Sequence, residues 1–499
     1  MLLSPTDAPP RRRWAALAVL ASAVLLLAID NTVLALAVPA LTTDLSPTAE
    51  QVLWIGDIYS LALAGLLVLM GNLADRFGRK RILLLGATAF GVVSVLAAFA
   101  GSPEQLIAAR LALGVAGATL MPSTLSLIRN LFPDDTERAR AIAIWSTAFG
   151  AGSAIGPLTG GLLLEHFWWG SVFLINVPVM ILVVVSGWLL LPESRDPEPG
   201  RFDVLSAALS MAAIVPLVFA IKHVAGHGLD PVTVGCVLAG TTAGVLFVRR
   251  QRRLDQPMLD VDLFRSPAFS GAVTANVIAI FALTGLLFFF SQYLQLARGH
   301  SPLEAGLAEL PATLASIVVV ALIGVSVTRL GRGRAIAVGL TAAAAGLALV
   351  AAAAHGPYIW MGLALVPIGL GIGLAMTLTG DAIVSAAPPR KAGSVSAITE
   401  AANELGVVLG IAVLGSLVSF VYRSSVTIPS GLSADDTAAV RDSLGPALRV
   451  LGPQSPAADA ARDAFIAGMQ VTSLVAAALT FAAALVAWRL IPSPRANRP

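Results

Sequence analysis

Fourteen apolar runs, each of about twenty residues or more, follow one another along the chain and leave room for little except membrane-spanning helices. A soluble domain could not bury the 57% of residues that are apolar, and only 12% of the 499 residues are charged. We therefore predict an all-α membrane protein with fourteen transmembrane spans. The runs lie at about 14–39, 51–73, 82–101, 105–131, 139–164, 170–191, 203–224, 231–248, 268–294, 303–328, 334–353, 357–386, 392–421 and 464–488.

Basic residues are concentrated in every second link between these runs. By the positive-inside rule these links and both termini lie in the cytoplasm, which agrees with an even number of spans. The other links are nearly free of bases, apart from Arg298 and the stretch after Tyr422. The basic groups are Arg11 to Arg13, Arg76 to Arg81, Arg138 with Arg140, Arg195 with Arg201, Arg249 to Arg253 with Arg265, Arg329 to Arg334, Arg390 with Lys391, and the tail from Arg489.

Charge and motifs argue against several classes of function. The net charge of +3 is small for this length, so nucleic acid is not an expected partner. None of the lysines Lys80, Lys222 and Lys391 follows a glycine, so a nucleotide-binding P-loop is excluded. Neither a His-Glu-x-x-His nor a Gly-x-Ser-x-Gly motif occurs, and the single Cys236 supplies no disulfide or zinc framework. We predict a protein that is not an enzyme, with no cofactor, metal or nucleotide.

An internal repeat relates the two ends of the chain. The pattern Gly-x-x-x-Asp-Arg-x-Gly-Arg at Gly71 to Arg79 returns, with threonine for the acid, at Gly324 to Arg332, an offset of 253. Nearly the same offset relates Gly117 to Gly371, Pro133 to Pro388 and Gly152 to Gly406. Parallel repeats predict two six-helix bundles with substrate handled between them. The predicted domains are 1–191 for the first bundle, 192–267 for two extra spans with a cytoplasmic linker, and 268–499 for the second bundle.

The second bundle contains a predicted extracellular loop at about 422–463. Ser433 can cap a short helix, and Leu444, Leu448 and Leu451 recur at helical spacing. Ser455-Pro456 offers a further helix start that can run into the last span. A structured cap over the outer mouth and a passive loop both remain open.

The short charged link after the second run resembles the signature loop of the major facilitator superfamily. The resemblance rests on Gly71, Asp75, Arg76, Gly78 and Arg79, followed by Lys80 and Arg81. It implies the major facilitator fold and a conformational latch formed by the first five of these residues. An ordinary positive-inside loop is the alternative. Such a loop needs only basic residues, so it leaves Asp75 and its spacing from Gly71 unexplained.

Further segments resemble the fourteen-span drug/proton antiporters of this superfamily, in particular bacterial exporters of quaternary ammonium compounds, dyes and quinolones. They include Asp30-Asn31-Thr32, Trp54 to Tyr59, and Arg110 with Gly114 and Gly117. The resemblance implies that Trp54 and Tyr59 contribute to substrate binding, and that the fifth span carries the antiporter gate residues Gly152, Gly156, Pro157 and Gly160. The sequence departs from the family pattern at Ala35, Leu113 and Ser316.

Three ionisable residues of the first half are candidates for proton coupling, because a charge in hydrocarbon is costly and is usually kept for function. Asp30, Asp57 and Arg110 are expected at one depth, by helical rise from the outer ends of their spans. Arg110 can stabilise a nearby carboxylate, and protonation of that carboxylate would break the pair. The alternative is a static buried ion pair.

The second half supplies Glu400, Asn403 and Glu404, whose spacing puts them on one face of the thirteenth span. Two neighbouring carboxylates in an apolar cavity are not both expected to ionise, so one should hold a proton until a cation displaces it. The alternative is a pair of acids exposed to water near the helix end. Asp381 and Glu309 lie nearer span ends and are interpreted as structural.

Together these features predict a proton-driven multidrug antiporter in the cytoplasmic (inner) membrane of a bacterium. Its expected partners are small lipophilic cationic drugs, protons and the lipid bilayer. An exporter of one endogenous metabolite or lipid would use the same scaffold and remains an alternative. A membrane sensor that does not transport is a weaker one, because the acids that could titrate are intact.

Overall fold

The computed structural model describes residues 10–195, 203–255, 257–386 and 392–493. Within these ranges the chain is helical and has no β-strand. Fourteen of the described helices are long and apolar enough to cross a membrane, which confirms the predicted all-α, fourteen-span fold. Arg201, Pro388, Arg390 and Lys391, used above for the charge pattern and the repeat, lie outside the described residues.

Thirteen spans follow one another as α1 to α13, and the fourteenth is α16. Their bounds are α1 Pro10–Leu45, α2 Ala49–Phe77, α3 Arg79–Ala98, α4 Pro103–Leu131, α5 Asp135–His166, α6 Ser171–Leu190, α7 Val204–His227, α8 Pro231–Gln251, α9 Pro267–Ala297, α10 Pro302–Leu330, α11 Arg332–Ala353, α12 Tyr358–Ser385, α13 from Ala392–Leu409 on to Gly415–Ser425, and α16 Pro456–Leu490. Two short helices, α14 (Ala434–Asp442) and α15 (Leu444–Leu451), lie between α13 and α16.

The starts of these helices follow from local sequence. Five spans begin with a proline in their first turn, where the missing N–H costs no hydrogen bond: Pro103, Pro231, Pro267, Pro302 and Pro456. Thr48 with Gln51 and Ser301 with Glu304 form capping boxes at α2 and α10. The side chain of Ser433 caps α14 by accepting a hydrogen bond from the Asp436 N–H, as its position predicted.

One predicted end is wrong. The first helix does not end at Pro39 but continues to Leu45, so Asp30 lies deeper than the distance from Pro39 implied. A proline is tolerated inside a membrane helix where neighbouring helices and local adjustments satisfy the freed backbone groups. The last span begins at Pro456, capped by Ser455, and this start was predicted from the Ser455-Pro456 pair.

Three spans change their helical pitch. α9 ends in a π-helical turn at Tyr293–Ala297, α10 passes through a 3-10 turn at Val319–Leu322, and α13 contains a π-helical turn at Gly410–Leu414. π-turns are often found at functional sites. None of these changes could be read from the apolar pattern.

The spans form two bundles, each with its own apolar core. One core is built from α1 to α6 and includes Leu20, Phe90 and Phe173. The other is built mainly from α9 to α16 and includes Phe290 and Ile368. The bundles meet at two seams, where α2 packs against α13 and α5 packs against α10. The internal repeat relates span two to span ten and span five to span thirteen, so the two seams are equivalent.

Both seams lie toward the membrane face away from the basic links. We call the face that carries Arg11 to Arg13 and Arg76 to Arg81 the basic face, and the other the opposite face. Hydrogen bonds that join the bundles lie at the opposite face: Ala49 N–H to Asp442, Leu303 N–H to Glu165, the amide of Gln295 to the Leu36 carbonyl, and Arg449 to Ser46 and the Thr43 carbonyl. Toward the basic face, Ile144, Phe149 and Val325 of α5 and α10 are exposed. The structure is therefore sealed at the opposite face.

Of the two extra spans, α7 contacts both bundles and also packs on α8. The two helices pack on each other, and α7 also packs on both α2 and α13 at their seam. A small apolar cluster joins Leu61 of α2, Val218 of α7 and Val408 of α13. The Met211 side chain fills the space that a side chain at Gly65 would need. Span seven is thus part of the seam between the bundles.

Candidate functional site

Asp30 is buried at the centre of the first bundle, where it accepts two hydrogen bonds. Nη1 of Arg110 lies 3.1 Å from its Oδ2, and Nδ2 of Asn176 lies 2.7 Å from its Oδ1. The side-chain amide of Asn176 also reaches Ser94. These contacts join α1, α3, α4 and α6 through one carboxylate.

Arg110 is fully buried and linked to α2 as well. Its Nε donates to the Ile55 carbonyl at 3.3 Å, and its guanidinium lies over the ring of Tyr59 at 4.8 Å. Nη2 of Arg110 has no hydrogen-bond partner among the described residues. Because a buried unpaired donor costs about 1–3 kcal/mol, this arginine is less than fully satisfied by its pair with Asp30.

Asp57 forms a second buried ion pair, which sequence reasoning did not identify. Nζ of Lys222 on α7 lies 2.6 Å from Oδ1 of Asp57 on α2, and both side chains are fully buried. The ammonium also lies 3.5 Å from the centre of the Trp54 ring. A single lysine inside an apolar run was a readable signal, but its partner depends on how α7 faces α2.

Each of the two expected coupling acids has its own basic partner. Sequence reasoning left open which carboxylate Arg110 stabilises, and the structure pairs Arg110 with Asp30 and Asp57 with Lys222. Trp54, Asp57 and Tyr59 are neighbours on α2, so one short segment of α2 contacts both cations. A change in the protonation of either acid would alter how α2 is held.

The polar residues of α13 belong to a network in the second bundle. Asn403 donates to Glu400 at 3.4 Å and accepts from Nδ2 of Asn276 on α9 at 2.7 Å. Oδ1 of Asn276 accepts in turn from the Thr379 hydroxyl of α12 at 3.0 Å. Asn276 was missed because a neutral amide in an apolar run does not stand out from composition.

Glu404 lies at the seam between the bundles. It is only 9% exposed, and its side chain lies beside Ser60 of α2. Its Oε2 and the Ser60 hydroxyl both lack a hydrogen-bond partner in the described ranges. A buried carboxylate with one oxygen left without a hydrogen bond is a candidate for binding a ligand.

The aromatic residues expected to bind substrate are occupied by other contacts in this conformation. Tyr59 is 2% exposed and lies under Arg110. Trp54 packs on Phe219 with ring centres 6.4 Å apart and covers Lys222. Neither ring lines an open surface at the seam, so a direct role in substrate binding would need α2 to move.

The charged link between α2 and α3 is held by contacts on both sides. Arg79 pairs with Asp75 at 2.7 Å one turn away, whereas Arg76 is exposed. Gly78 has φ of 116°, and a side chain there would meet the carboxylate of Glu193. That carboxylate accepts from the Lys80 N–H at the start of α3, so the link is fastened to the end of α6.

In the second copy of this link, between α10 and α11, the acid that pairs with an arginine comes from a different helix. Thr328 stands where Asp75 stands in the first copy, but Arg332 pairs with Asp381 of α12 at 2.7 Å.

Two further residues considered in the sequence lie at separate places. Gly71 is half-buried and packs on Pro122. Glu309 is buried near Tyr358, and its Oε1 has no partner among the described residues.

The glycines of α5 let it approach two other helices. Side chains at Gly152, Gly156 and Gly160 would collide with α1. Gly161 and Pro157 instead face α10, where Pro302, Leu303 and Gly306 lie. The three predicted gate glycines therefore lie against α1, whereas the predicted gate residue Pro157 contacts the other bundle together with Gly161.

Comparison with known proteins places the chain in a family. A model described as Major Facilitator Superfamily matches residues 20–411. The chain belongs to the major facilitator superfamily. It is 47% identical over 492 residues to the "Multidrug efflux pump LfrA" of Mycolicibacterium smegmatis, across 96% of this chain and 97% of that protein. It is also 36% identical over 484 residues to the "Methyl viologen resistance protein SmvA" of Salmonella typhimurium, across 96% and 98%. These relatives confirm the resemblance to drug exporters of this superfamily.

A solved structure shares the fold. A bacterial homolog of the human lysosomal transporter Spinster, in an inward-facing and unoccupied conformation, aligns with a TM-score of 0.65 and 17% identity, covering 98% of this chain and 100% of that one. At this identity the likeness concerns the fold alone. The family model and the relatives make the chain a multi-span membrane transporter of the superfamily.

Proposed function

We propose that this protein exports lipophilic cationic drugs in exchange for protons. The observation that carries the proposal is the position of Glu404, a carboxylate buried at the seam between the bundles, whose Oε2 has no hydrogen-bond partner among the described residues. Beside it lies the segment of α2 that contacts both Arg110 and Lys222. One place in the molecule therefore has a group able to bind a cation and two ion pairs able to respond to protons.

A lipophilic cation that enters the seam loses its hydration, and a carboxylate is the group type that offsets this loss. Proton and cation compete for Glu404, with Glu400 and Asn403 one turn away as further polar contacts. The names of the relatives support this substrate class, since one is a multidrug efflux pump and another confers resistance to methyl viologen, a permanent cation.

Protons act through the two ion pairs in this proposal. Protonation of Asp30 weakens its pair with Arg110, which joins α1 to α4 and also contacts α2, and protonation of Asp57 weakens the pair that joins α2 to α7. Since α2 and α7 both pack at the seam with α13, these changes favour opening of the opposite face. In one-for-one exchange of a proton for a monovalent cation the two charges cancel, so the pH gradient supplies the driving force, about 1.4 kcal/mol or tenfold in drug concentration for each pH unit.

The basic face is the cytoplasmic face in this proposal. The positive-inside rule puts the basic links and both termini there, in the inner membrane of a bacterium. The described conformation, sealed at the opposite face, is then the one that takes up drug from the cytoplasm. Binding between parallel repeats at mid-membrane is the general arrangement for alternating access.

Transport in proteoliposomes tests the proposal. An imposed pH gradient should drive ethidium transport by the parent protein. The same vesicles without a pH gradient should show no driven transport. Asp30→Asn keeps the shape of the side chain but cannot titrate, so it should abolish driven transport. Asp435→Asn, on the exposed surface of α14, is the matched control and should behave as the parent. Driven transport by the Asp30 variant would remove Asp30 from the proton path, and no driven transport by the parent would refute the proposal.

A further inference from the structure

Three potential metal ligands converge near the opposite face, at the ends of α2 and α7. One ligand atom from each of Glu50, His223 and His227 lies within 4.8 Å of the other two. The two histidines are four residues apart on α7, and their rings stack in parallel with centres 4.2 Å apart. Glu50 comes from the first turn of α2, so the group bridges two helices.

The donor set matches that of a divalent transition metal. Imidazole nitrogens with one carboxylate are typical ligands for Zn²⁺, and three protein ligands leave a fourth position for water. Tetrahedral ligands at 2.0–2.1 Å from zinc lie roughly 3.4 Å apart, so the two imidazole rings would rotate out of their stacked arrangement to present their nitrogens to one ion. Glu50 and His223 are half-buried and His227 is exposed, which gives an ion access from the opposite face.

Asp230 supplies the supporting contact that metal-bound histidines usually have. Its Oδ2 lies 3.0 Å from Nε2 of His223, which leaves Nδ1 of that ring for a metal. The Thr233 N–H donates to Oδ1 of Asp230 at 2.7 Å, which holds the carboxylate in place beside the ring. Asp230 therefore orients the ring of His223.

The site lies at the mouth of a cavity that reaches the buried ion pair. This cavity, of about 290 Å³, is lined by Glu50 and His227 at the surface and extends to Lys222, the partner of Asp57. Arg423 and Asp442 line its other side. An ion bound at its mouth would fix α2 to α7 above the Asp57–Lys222 pair.

We infer that Glu50, His223 and His227 form a binding site for a divalent transition-metal ion such as Zn²⁺, and that the bound ion slows transport by tethering α2 to α7. The binding part of the inference is independent of the proposed function. The effect on transport rests on that function. The sequence did not indicate the site, because the two histidines are separated from Glu50 by more than 170 residues.

Metal binding is tested with the purified full chain, prepared without a polyhistidine tag and stripped with chelator. Co²⁺ is the spectroscopic probe, because tetrahedral coordination gives intense visible absorption, and Zn²⁺ should displace it. The parent should bind close to one equivalent. His227→Ala and Glu50→Gln should each weaken binding about tenfold or more, and Asp230→Asn about tenfold through its supporting contact.

His300→Ala is the matched control, because His300 also pairs with a glutamate four residues away, Glu304, at an exposed site on the same face. It should bind Co²⁺ as the parent does. Equal binding by the parent and a His223→Ala/His227→Ala double variant would overturn the site, as would loss of binding in the His300 variant. His227 is exposed, so His227→Gln provides a second variant that does not disturb packing.

The effect on transport is measured separately in the proteoliposomes. Zn²⁺ added at the opposite face should slow driven ethidium transport several-fold in the parent, with recovery on adding chelator, and should not affect His227→Gln. Metal binding without inhibition would overturn the tether but keep the site. Absence of transport by the metal-free parent would instead count against the proposed function.

Discussion

The buried pair of Asp57 and Lys222 is the residue-scale feature that most changes how this transporter is understood. Both side chains are inaccessible to water, and removal of one partner from a buried pair leaves an uncompensated charge that costs about 3–5 kcal/mol. Replacing both partners by neutral groups of similar size is often nearly neutral for stability. Each charge of the pair is therefore stable in the interior only while the other is present.

We expect Asp57→Asn and Lys222→Met each to lower the thermal stability of the purified protein, and the double variant to recover most of the loss. The reason is that only the single variants bury an unpaired charge. Differential scanning fluorimetry on the three variants measures this. The Arg332→Met variant, which breaks the exposed pair with Asp381, is the control and should cost less than about 1 kcal/mol. A double variant as unstable as the singles would show that the pair is not the source of the effect.

A second residue-scale prediction concerns Glu404. Glu404→Gln should weaken equilibrium binding of tetraphenylphosphonium far more than binding of a neutral substrate, because only the cation needs a carboxylate to offset its lost hydration. Affinity for the cation should rise with pH in the parent, since the proton competes for the same group, and this dependence should flatten in the variant.

Glu400→Gln is the neighbouring control for that experiment, with an intermediate expected effect, because Glu400 lies one turn away and hydrogen-bonds to Asn403. The double Gln variant should be worse than either single variant. Unchanged affinity and unchanged pH dependence in the double variant would transfer the cation site to Asp30 or Asp57.

Charged residues inside apolar runs could be predicted as site candidates, and Asp30, Asp57, Arg110 and Glu404 are all buried in the bundles. Their pairing could not be predicted, because it depends on the rotation of each helix about its axis. Asn176 and Asn276 were not identified, since a neutral amide is a weak signal in composition. The same rule that marked Asp57 would have marked Lys222.

At the scale of elements, the seam between α5 and α10 depends on close approach at two glycines, Gly161 of α5 and Gly306 of α10. A side chain on Gly161 would come within 2.9 Å of the Leu303 Cα and 3.0 Å of the Pro302 carbonyl, and backbone atoms cannot move aside cheaply. The seam can close only while residue 161 has no side chain.

We expect Gly161→Val to abolish ethidium efflux because it keeps the opposite face from sealing. Gly150→Val, on the same helix with open space around it, is the matched control and should retain most activity. Ethidium efflux from cells measures transport. Labelling of a cysteine introduced at Leu303 measures whether the opposite face seals. Normal efflux in the Gly161 variant, or equal losses in both, would contradict the role of this contact.

Elements were predictable where length and caps define them. The apolar runs predicted every span, and Ser433 and Ser455-Pro456 marked helix starts. The end of α1 beyond Pro39 and the π-turn of α13 were not predictable, because tertiary neighbours decide whether a helix tolerates a proline or an extra residue.

At the scale of the whole molecule, the repeat in the sequence reappears as two equivalent seams, but the chemistry is not repeated. The ion pairs of Asp30 and Asp57 lie in and beside the first bundle, whereas Glu400 and Glu404 belong to the second. Span α7, one of the two spans added to the twelve of the repeat, packs at one seam only and supplies Lys222. The domain boundaries at 191 and 268 stay a prediction.

The central claim is that a drug cation and a proton exchange at this site, and proton release on drug binding tests it most directly. Tetraphenylphosphonium is added to the purified parent protein in weakly buffered solution at roughly neutral pH, and the proton count is followed with a pH indicator. The compound has a permanent charge, so any proton comes from the protein. We predict release approaching one proton per bound cation in the parent and little release in the Glu400→Gln/Glu404→Gln double variant. Tight binding by the parent with no proton release, or undiminished release in the double variant, would contradict the account.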